Sequence, residues 1–178
     1  MLPWILVGIV VVVAGVVLLV ATRPAEFSVT RSATMSAPAA TVHALVNDFH
    51  EWSKWSPWEH RDPNMTRTYD GTDAGKGAEY RWSGDKNVGE GMMRITESVP
   101  PELILIHLEF IKPFKATNTT ECKFTPEDGG TKVTWSMMGR NNFMAKAMSL
   151  FMDMDKMIGK DFEQGLADMK AAAEKSAA

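Results

Sequence analysis

Four polar residues stand on faces that are otherwise apolar, and they are the first candidates for chemistry. Tyr80 shares its strand parity with Ala78 and Trp82, and Asn118 shares its parity with Ala116, Thr120, Cys122 and Phe124. Asp155 falls inside an apolar stripe of about 120° formed by Met144, Ala147, Met148, Phe151, Met154, Ile158, Phe162, Gly165, Leu166 and Met169. Arg31 has the parity of Phe27, Val29, Ala33 and Met35. A phenol, an amide, a carboxylate and a guanidinium turned inward serve one of two purposes. They orient the polar group of an amphipathic ligand in an apolar wall, or they satisfy one another as a structural cluster. A dry unpaired carboxylate is too costly to keep, so Asp155 is expected to face the sheet near Tyr80 or Asn118. Asp155 or Tyr80 is also where a proton would be shuttled if the site were catalytic.

Other chemistries have less behind them. The four histidines, His43, His50, His60 and His107, include no i, i+4 pair, and Cys122 is the single cysteine. No metal site, disulfide framework or cofactor is expected from such a set. Gly75, Gly77, Gly89 and Gly91 lie among alternating strands and do not open a helix, so they are no phosphate loop. Instead Gly89 and Gly91, with the parity of Met93 and Ile95, are expected to leave room on the inner face. Phe49, Trp52, Trp55 and Trp58 recur every three residues beside Pro57. They read as the rim of a pocket mouth, as an interfacial belt against a nearby bilayer, or as a seal between short helices and the sheet edge. A net charge of −3 does not point to nucleic acid or to an anionic membrane surface as a partner. Thirteen methionines suit an adaptable cavity as well as ordinary core filling.

The elements that must position these residues follow from periodicity. Leu2 to Ala21 is twenty residues without a charge, long enough to span a hydrocarbon core. The absence of Lys or Arg before it, and of a clear cleavage site after it, favours an anchor over a cleaved leader. Arg23 weakly favours a cytoplasmic soluble domain. Glu26 to Met35 reads as a strand, with a bulge expected near Arg31. Ser36 is expected to cap a short helix over Val42, Leu45, Val46 and Phe49, and Asp48 to cap a second, with Glu51 at its third position. From Met65 to Gly139 the pattern has period two, with turns at 83–87, Pro100-Pro101 and Asp128-Gly-Gly130. Met144 to Lys170 reads as one helix about 39 Å long, unless it is interrupted near Gly159. The class is α+β: about seven antiparallel strands curled around a long C-terminal helix, with the short helices closing one end.

The segments S-A-P-A-A-T-V-H-A-L-V-N-D-F at 36–49, W-S-x-W-S-P-W at 52–58, G-x-G-A-x-Y-x-W at 75–82, G-G-T-K-V-T-W at 129–135 and G-K-D-F-E-x-G-L at 159–166 resemble the START-like (SRPBCC) superfamily. The likeness is to its polyketide cyclase/dehydrase and lipid-transport group, including membrane-anchored members, and it covers roughly residues 26–173. It implies a helix-grip fold with a deep apolar cavity, a hydrophobic small molecule or lipid as partner, and in a few members cyclase or hydrolase activity. It carries no catalytic signature, and a fold of this kind hosts many functions.

The expectation is therefore a transmembrane anchor over 1–24 and a helix-grip domain over 25–178. Tyr80, Trp82, Met93, Asn118, Trp135, Met137, Met148, Phe151 and Asp155 are the expected ligand contacts, with Trp52, Trp55 and Trp58 at the pocket rim. Binding of a lipid or lipid-like metabolite at a bacterial cell membrane is the leading reading. A cyclase or dehydratase, and a ligand-free tethered interaction module, are the alternatives.

Overall fold

The structure, a computed structural model, describes residues 2–177. Helix α1 (Leu2–Ala21) leads into β1 (Glu26–Met35), α2 (Ala39–Asn47) and a 3₁₀ helix (Phe49–Lys54). Six strands follow: β2 (Thr66–Asp70), β3 (Glu79–Ser83), β4 (Glu90–Val99), β5 (Leu103–Lys112), β6 (Ala116–Glu127) and β7 (Gly130–Arg140). Two helices end the chain, α3 (Phe143–Met148) and α4 (Met154–Ala177). The seven strands form one antiparallel sheet in the order β1-β7-β6-β5-β4-β3-β2. The hairpin between β6 and β7 turns on Asp128 and Gly129, both at positive φ (48° and 78°), the geometry that matches strand twist.

Alternation puts Met93 and Ile95, Ile104 and Ile106, Cys122 and Phe124, and Val133 and Trp135 on the concave face. There they meet α2 and α4. Val42, His43, Leu45 and Val46 are the buried side of α2, which starts after Pro38 with no side-chain cap. The cap expected from Ser36 does not form, because the helix starts only after Pro38, beyond its reach; the Ser36 backbone N–H donates to Glu174 at 2.8 Å. Asp48 does cap the 3₁₀ helix, accepting from the His50 N–H at 2.8 Å, but Glu51 pairs with Lys54 and does not reach back.

Two expectations are corrected. First, β1 has no bulge: it pairs with β7 in unbroken register from Glu26↔Arg140 to Met35↔Thr131. Arg31 thus keeps its inward parity, and edge-strand position lets its side chain run out to α4. Second, the C-terminal helix is not continuous over 144–170, and the break is not at Gly159. Asn142 caps α3 by accepting from the Ala145 N–H. Ser149 Oγ then bonds the Lys146 carbonyl, and Asp153 accepts from the Lys156 N–H at 3.0 Å. Asp153 starts a new helix, so residues 149–153 form a turn.

The later part of α4 is closely packed. Phe162, Leu166, Met169 and Ala173 are buried on the core. The Phe162 ring stacks on Trp135 with centroids 4.1 Å apart and planes 4° from parallel. A Cβ at Gly165 would stand 2.9 Å from Trp135 and 3.1 Å from Pro57, so only glycine lets α4 lie this close. In contrast, α1 is almost wholly exposed, with Val20 its one buried apolar side chain among the described residues. Its span Pro3–Ala21 is long and apolar enough to cross a membrane, and α3 rests against its C-terminal end.

Candidate functional site

A cavity of about 1220 Å³ lies between the concave face of the sheet and the α3–α4 region. Tyr80 and Trp82 enter it from β3, Met93 from β4, Leu108 and Phe110 from β5, Asn118 and Thr120 from β6, and Trp135 and Met137 from β7. Residues 150–154 with Met157, Ile158 and Phe162 form its roof, and Trp52 and Trp58 close its inner end. The wall is mainly apolar, as a pocket for an amphipathic molecule requires. Gly91 has a particular part in it. A Cβ there would collide with the Trp82 ring, so the glycine makes room for an indole spread along the sheet, not for the helix above. That indole is fixed by its N–H donating to the Val88 carbonyl at 3.0 Å.

The polar chemistry of the wall is concentrated in one cluster that sequence reasoning missed. Glu59, nearly fully buried, accepts from the Tyr80 hydroxyl and from Arg67 Nε at 2.7 Å, while Arg67 Nη2 donates to the Glu59 carbonyl at 2.9 Å. Burial, then the bond to Glu59 and its charge, raise the Tyr80 pKa well above the ordinary phenol range. The bond to Glu59 likewise raises that of Arg67. Tyr80 is thus neutral at physiological pH, with its one proton committed to Glu59, and no general base. Asn118 (6% exposed) and Trp135 (2% exposed) also border the cavity. Asn118 Oδ1 and Trp135 Nε1 have no hydrogen-bond partner in the protein. Leaving a buried polar atom unpaired costs about 1–3 kcal/mol, so both mark positions where a ligand's polar atom would be favourable.

The structure brings together Tyr80, Trp82, Met93, Asn118, Trp135, Met137 and Phe151 around this space. It removes three others. Asp155 is exposed (59%) and does not face Tyr80 or Asn118. It receives Arg31 Nη1 at 3.2 Å and Nη2 at 3.0 Å, and Arg31 Nε also holds Glu163 at 2.8 Å. The bond from Arg31 lowers the Asp155 pKa. The cause is the helix break: Asp155 lies in the first turn of α4, which crosses the β1 edge, and Gly159 leaves space for the guanidinium. Met148 ends the short α3 and lies off the cavity wall. Trp55 is not at the rim. It is completely buried, its N–H donating to the Leu45 carbonyl at 2.9 Å, and it seals the 3₁₀ helix to α2. Trp52 is buried too, bonded to the Val46 carbonyl, and lines the inner wall. Of the three tryptophans only Trp58 is part-open, edge-on to Trp135 and Phe162, with Arg61 over its face at 5.7 Å.

Glu59 and Arg67 escaped detection for a physical reason. Glu59 lies in an irregular turn with no periodicity to give it a side, and its burial depends on strands far along the chain. The one available signal is an acid placed directly after the tryptophan run. Among the described residues, no group of three or more His, Cys, Asp or Glu is placed to hold a metal ion.

Residues 26–174 match the family model described as polyketide cyclase/dehydrase and lipid transport. No curated protein matches the sequence. Solved structures share the fold. Protein CV1439 from Chromobacterium violaceum superposes with a TM-score of 0.61 at 17% identity, over 83% of this chain and 96% of that one. Protein Ms6760 from Mycobacterium smegmatis gives 0.58 at 21%, over 84% and 92%. The di-domain ARO/CYC BexL from the BE-7585A biosynthetic pathway gives 0.60 at 18%, over 89% of this chain and 53% of that one.

Proposed function

The chain belongs to the polyketide cyclase/dehydrase and lipid-transport family, and from that premise we propose that it binds one largely apolar, amphipathic small molecule, a lipid or lipid-like metabolite. Residues 1–24 serve as its membrane anchor and 25–178 as the binding domain. The observation that carries this reading is the cavity itself: about 1220 Å³, mainly apolar, with a few polar atoms of Tyr80, Asn118 and Trp135 in its wall. Each 100 Å² of ligand surface taken out of water there contributes about 2.5 kcal/mol before the costs of association. Tyr80, held by Glu59 and Arg67, and the unpaired atoms of Asn118 and Trp135 would set which end of the ligand goes in first. Arg23, just beyond α1, favours the cytoplasmic side of a bacterial cell membrane for the domain. The open volume gives no support to a ligand-free interaction module.

A second reading has one observation in its favour. The Glu59–Tyr80 pair puts a carboxylate and a phenol at the cavity wall, the groups that a cyclisation or dehydration of a polyketide-like substrate would use. The Tyr80 hydroxyl stays protonated and its one proton is donated to Glu59, so towards a ligand the phenol offers a lone pair, which suits orientation of a ligand donor better than proton abstraction.

Native mass spectrometry of the full chain released from detergent tests the binding reading. A co-purifying lipid-like mass is expected, together with displacement of an apolar fluorescent probe by lipids. Tyr80→Phe and Glu59→Gln should each weaken that ligand about tenfold, the worth of one hydrogen bond in a dry site. A chain that carries nothing and releases no probe would overturn the reading.

A further inference from the structure

We infer that the mouth of the cavity docks on the surface of the lipid bilayer that α1 enters, with Phe114 and Phe151 seated at the headgroup boundary. The open end of the cavity is the end nearest α1. Arg23, Pro24 and Glu26 border it, and so do the β5–β6 turn at Pro113–Lys115 and the α3–α4 turn at 149–153. Helix α3 ties this end to the anchor, with Lys146 Nζ donating to the Ala21 carbonyl at 3.5 Å.

The surface here is unlike the rest of the domain. Phe151 is 89% exposed, and Phe114, Phe143, Met144 and Met152 are exposed beside it. Elsewhere on the described soluble surface, exposed large apolar side chains such as Tyr69 and Val99 occur singly, which is ordinary. A contiguous apolar rim continuous with a candidate membrane span matches the interfacial zone of a bilayer, where aromatic rings are favoured. The charge agrees. Arg23, Lys115 and Arg140 line the same mouth without an ion-pair partner among the described residues, against Glu26 and Asp153 of opposite sign. The chain is net negative, so these cations form a local collar suited to headgroup phosphates.

The docking rests on α1 spanning the bilayer. Its corollary rests on the ligand reading above: an apolar molecule passes between bilayer and cavity through the α3–α4 turn without crossing water.

The full-length chain in nanodiscs of mixed phosphatidylcholine and phosphatidylglycerol tests both. The single native Cys122 is buried, so an environment-sensitive fluorophore can be placed through Phe114→Cys, Phe151→Cys, or Asp128→Cys at the opposite end of the sheet, roughly 35 Å along β6. Labels at 114 and 151 should be quenched by lipids carrying a nitroxide near the headgroup and shielded from aqueous iodide; the label at 128 should show the reverse. Equal behaviour at all three positions overturns the docking, as does shielding at 151 that disappears on dilution to one chain per disc, which marks a second copy as the occupant. For the corollary, a bilayer-dissolved fluorescent fatty acid should load the cavity severalfold more slowly in the double variant Phe143→Asp, Met144→Asp, whose positions are exposed on the apolar rim but off the cavity wall, with occupancy at equilibrium unchanged. Unchanged loading refutes passage through the mouth. Lipid quenching at 151 in a chain that never loads the fatty acid upholds the docking and counts against the ligand reading instead.

Discussion

The space between sheet and C-terminal helices has two halves that differ more than the sequence along them does. In the half under α2 and the later turns of α4, Trp55, Phe162, Leu166 and Met169 are fully buried, and Gly165 brings the helix onto Trp135 and Pro57. In the half under α3 and the first turns of α4, methionines and phenylalanines of the same kind surround open volume, and Met157 and Phe151 are exposed. The same 3.6-residue stripe runs through both. Filling is decided elsewhere, by a glycine that permits close approach in one half and by Asp153, which restarts the helix in the other. An apolar stripe says which face turns inward; it does not say whether anything fills the space beneath.

Three perturbations would break or sharpen this contrast. The largest effect is expected from Trp55→Ala, which empties the closed half. It should cost about 3–5 kcal/mol in chemical denaturation of the full chain in detergent, whereas Phe151→Ala should stay within about 0.5 kcal/mol. Similar costs at the two positions would abolish the distinction. The second is a pH effect on the closed half alone. His43 lies in α2 with its ring edge-on to Phe124 at 5.3 Å, and burial pushes its pKa below the ordinary imidazole value of 6.5. The unfolded chain therefore takes up a proton that the folded chain resists. The contribution of neutral His43 is complete above 6.5 and is lost as the pH falls through the folded value. The unfolding midpoint should hold above pH 6.5 and drop as the pH falls below it, and His43→Leu should flatten that dependence; an unchanged slope in the variant would assign it to another group. The smallest global effect is expected from Arg31→Ala. Removing the clasp on Asp155 and Glu163 should speed amide exchange over residues 154–163 and leave 166–177 protected. Uniform acceleration along α4 would mean that the halves open as one unit.

The fold was legible in the sequence because its signals had no competitor. Alternation in β3, β4, β6 and β7 and the Asp128-Gly129 turn admit one reading, and Gly165 within an apolar stripe pointed correctly to close approach. The helix break was not legible. Met, Ala, Leu and Lys are all good helix formers, and Asp153 looks as much like one more charge on a solvated face as like a cap. That single misreading moved Asp155 from the β1 edge into the cavity. Arg31 reads from the sequence as an inward misfit, but only the edge position of β1, with Gly159 opposite, shows how an inward guanidinium reaches an exposed partner. At the site, strand parity identified the wall residues from Tyr80 to Met137. It was blind to Glu59, whose side is set by tertiary contacts with Tyr80 and Arg67, and it assigned Trp55 to a rim when its indole N–H is committed to the α2 backbone.

Only residues 22–25 separate α1 from β1, a tether of roughly 14 Å when fully extended. With α1 embedded, no arrangement of that tether lets the domain reach a second membrane. Cargo drawn from the bilayer must return to the same bilayer or be collected by something that comes to it. On the function proposed above, such a chain would be a fixed berth and not a ferry, and its throughput would depend on how many copies stand in the membrane rather than on how far any one of them travels.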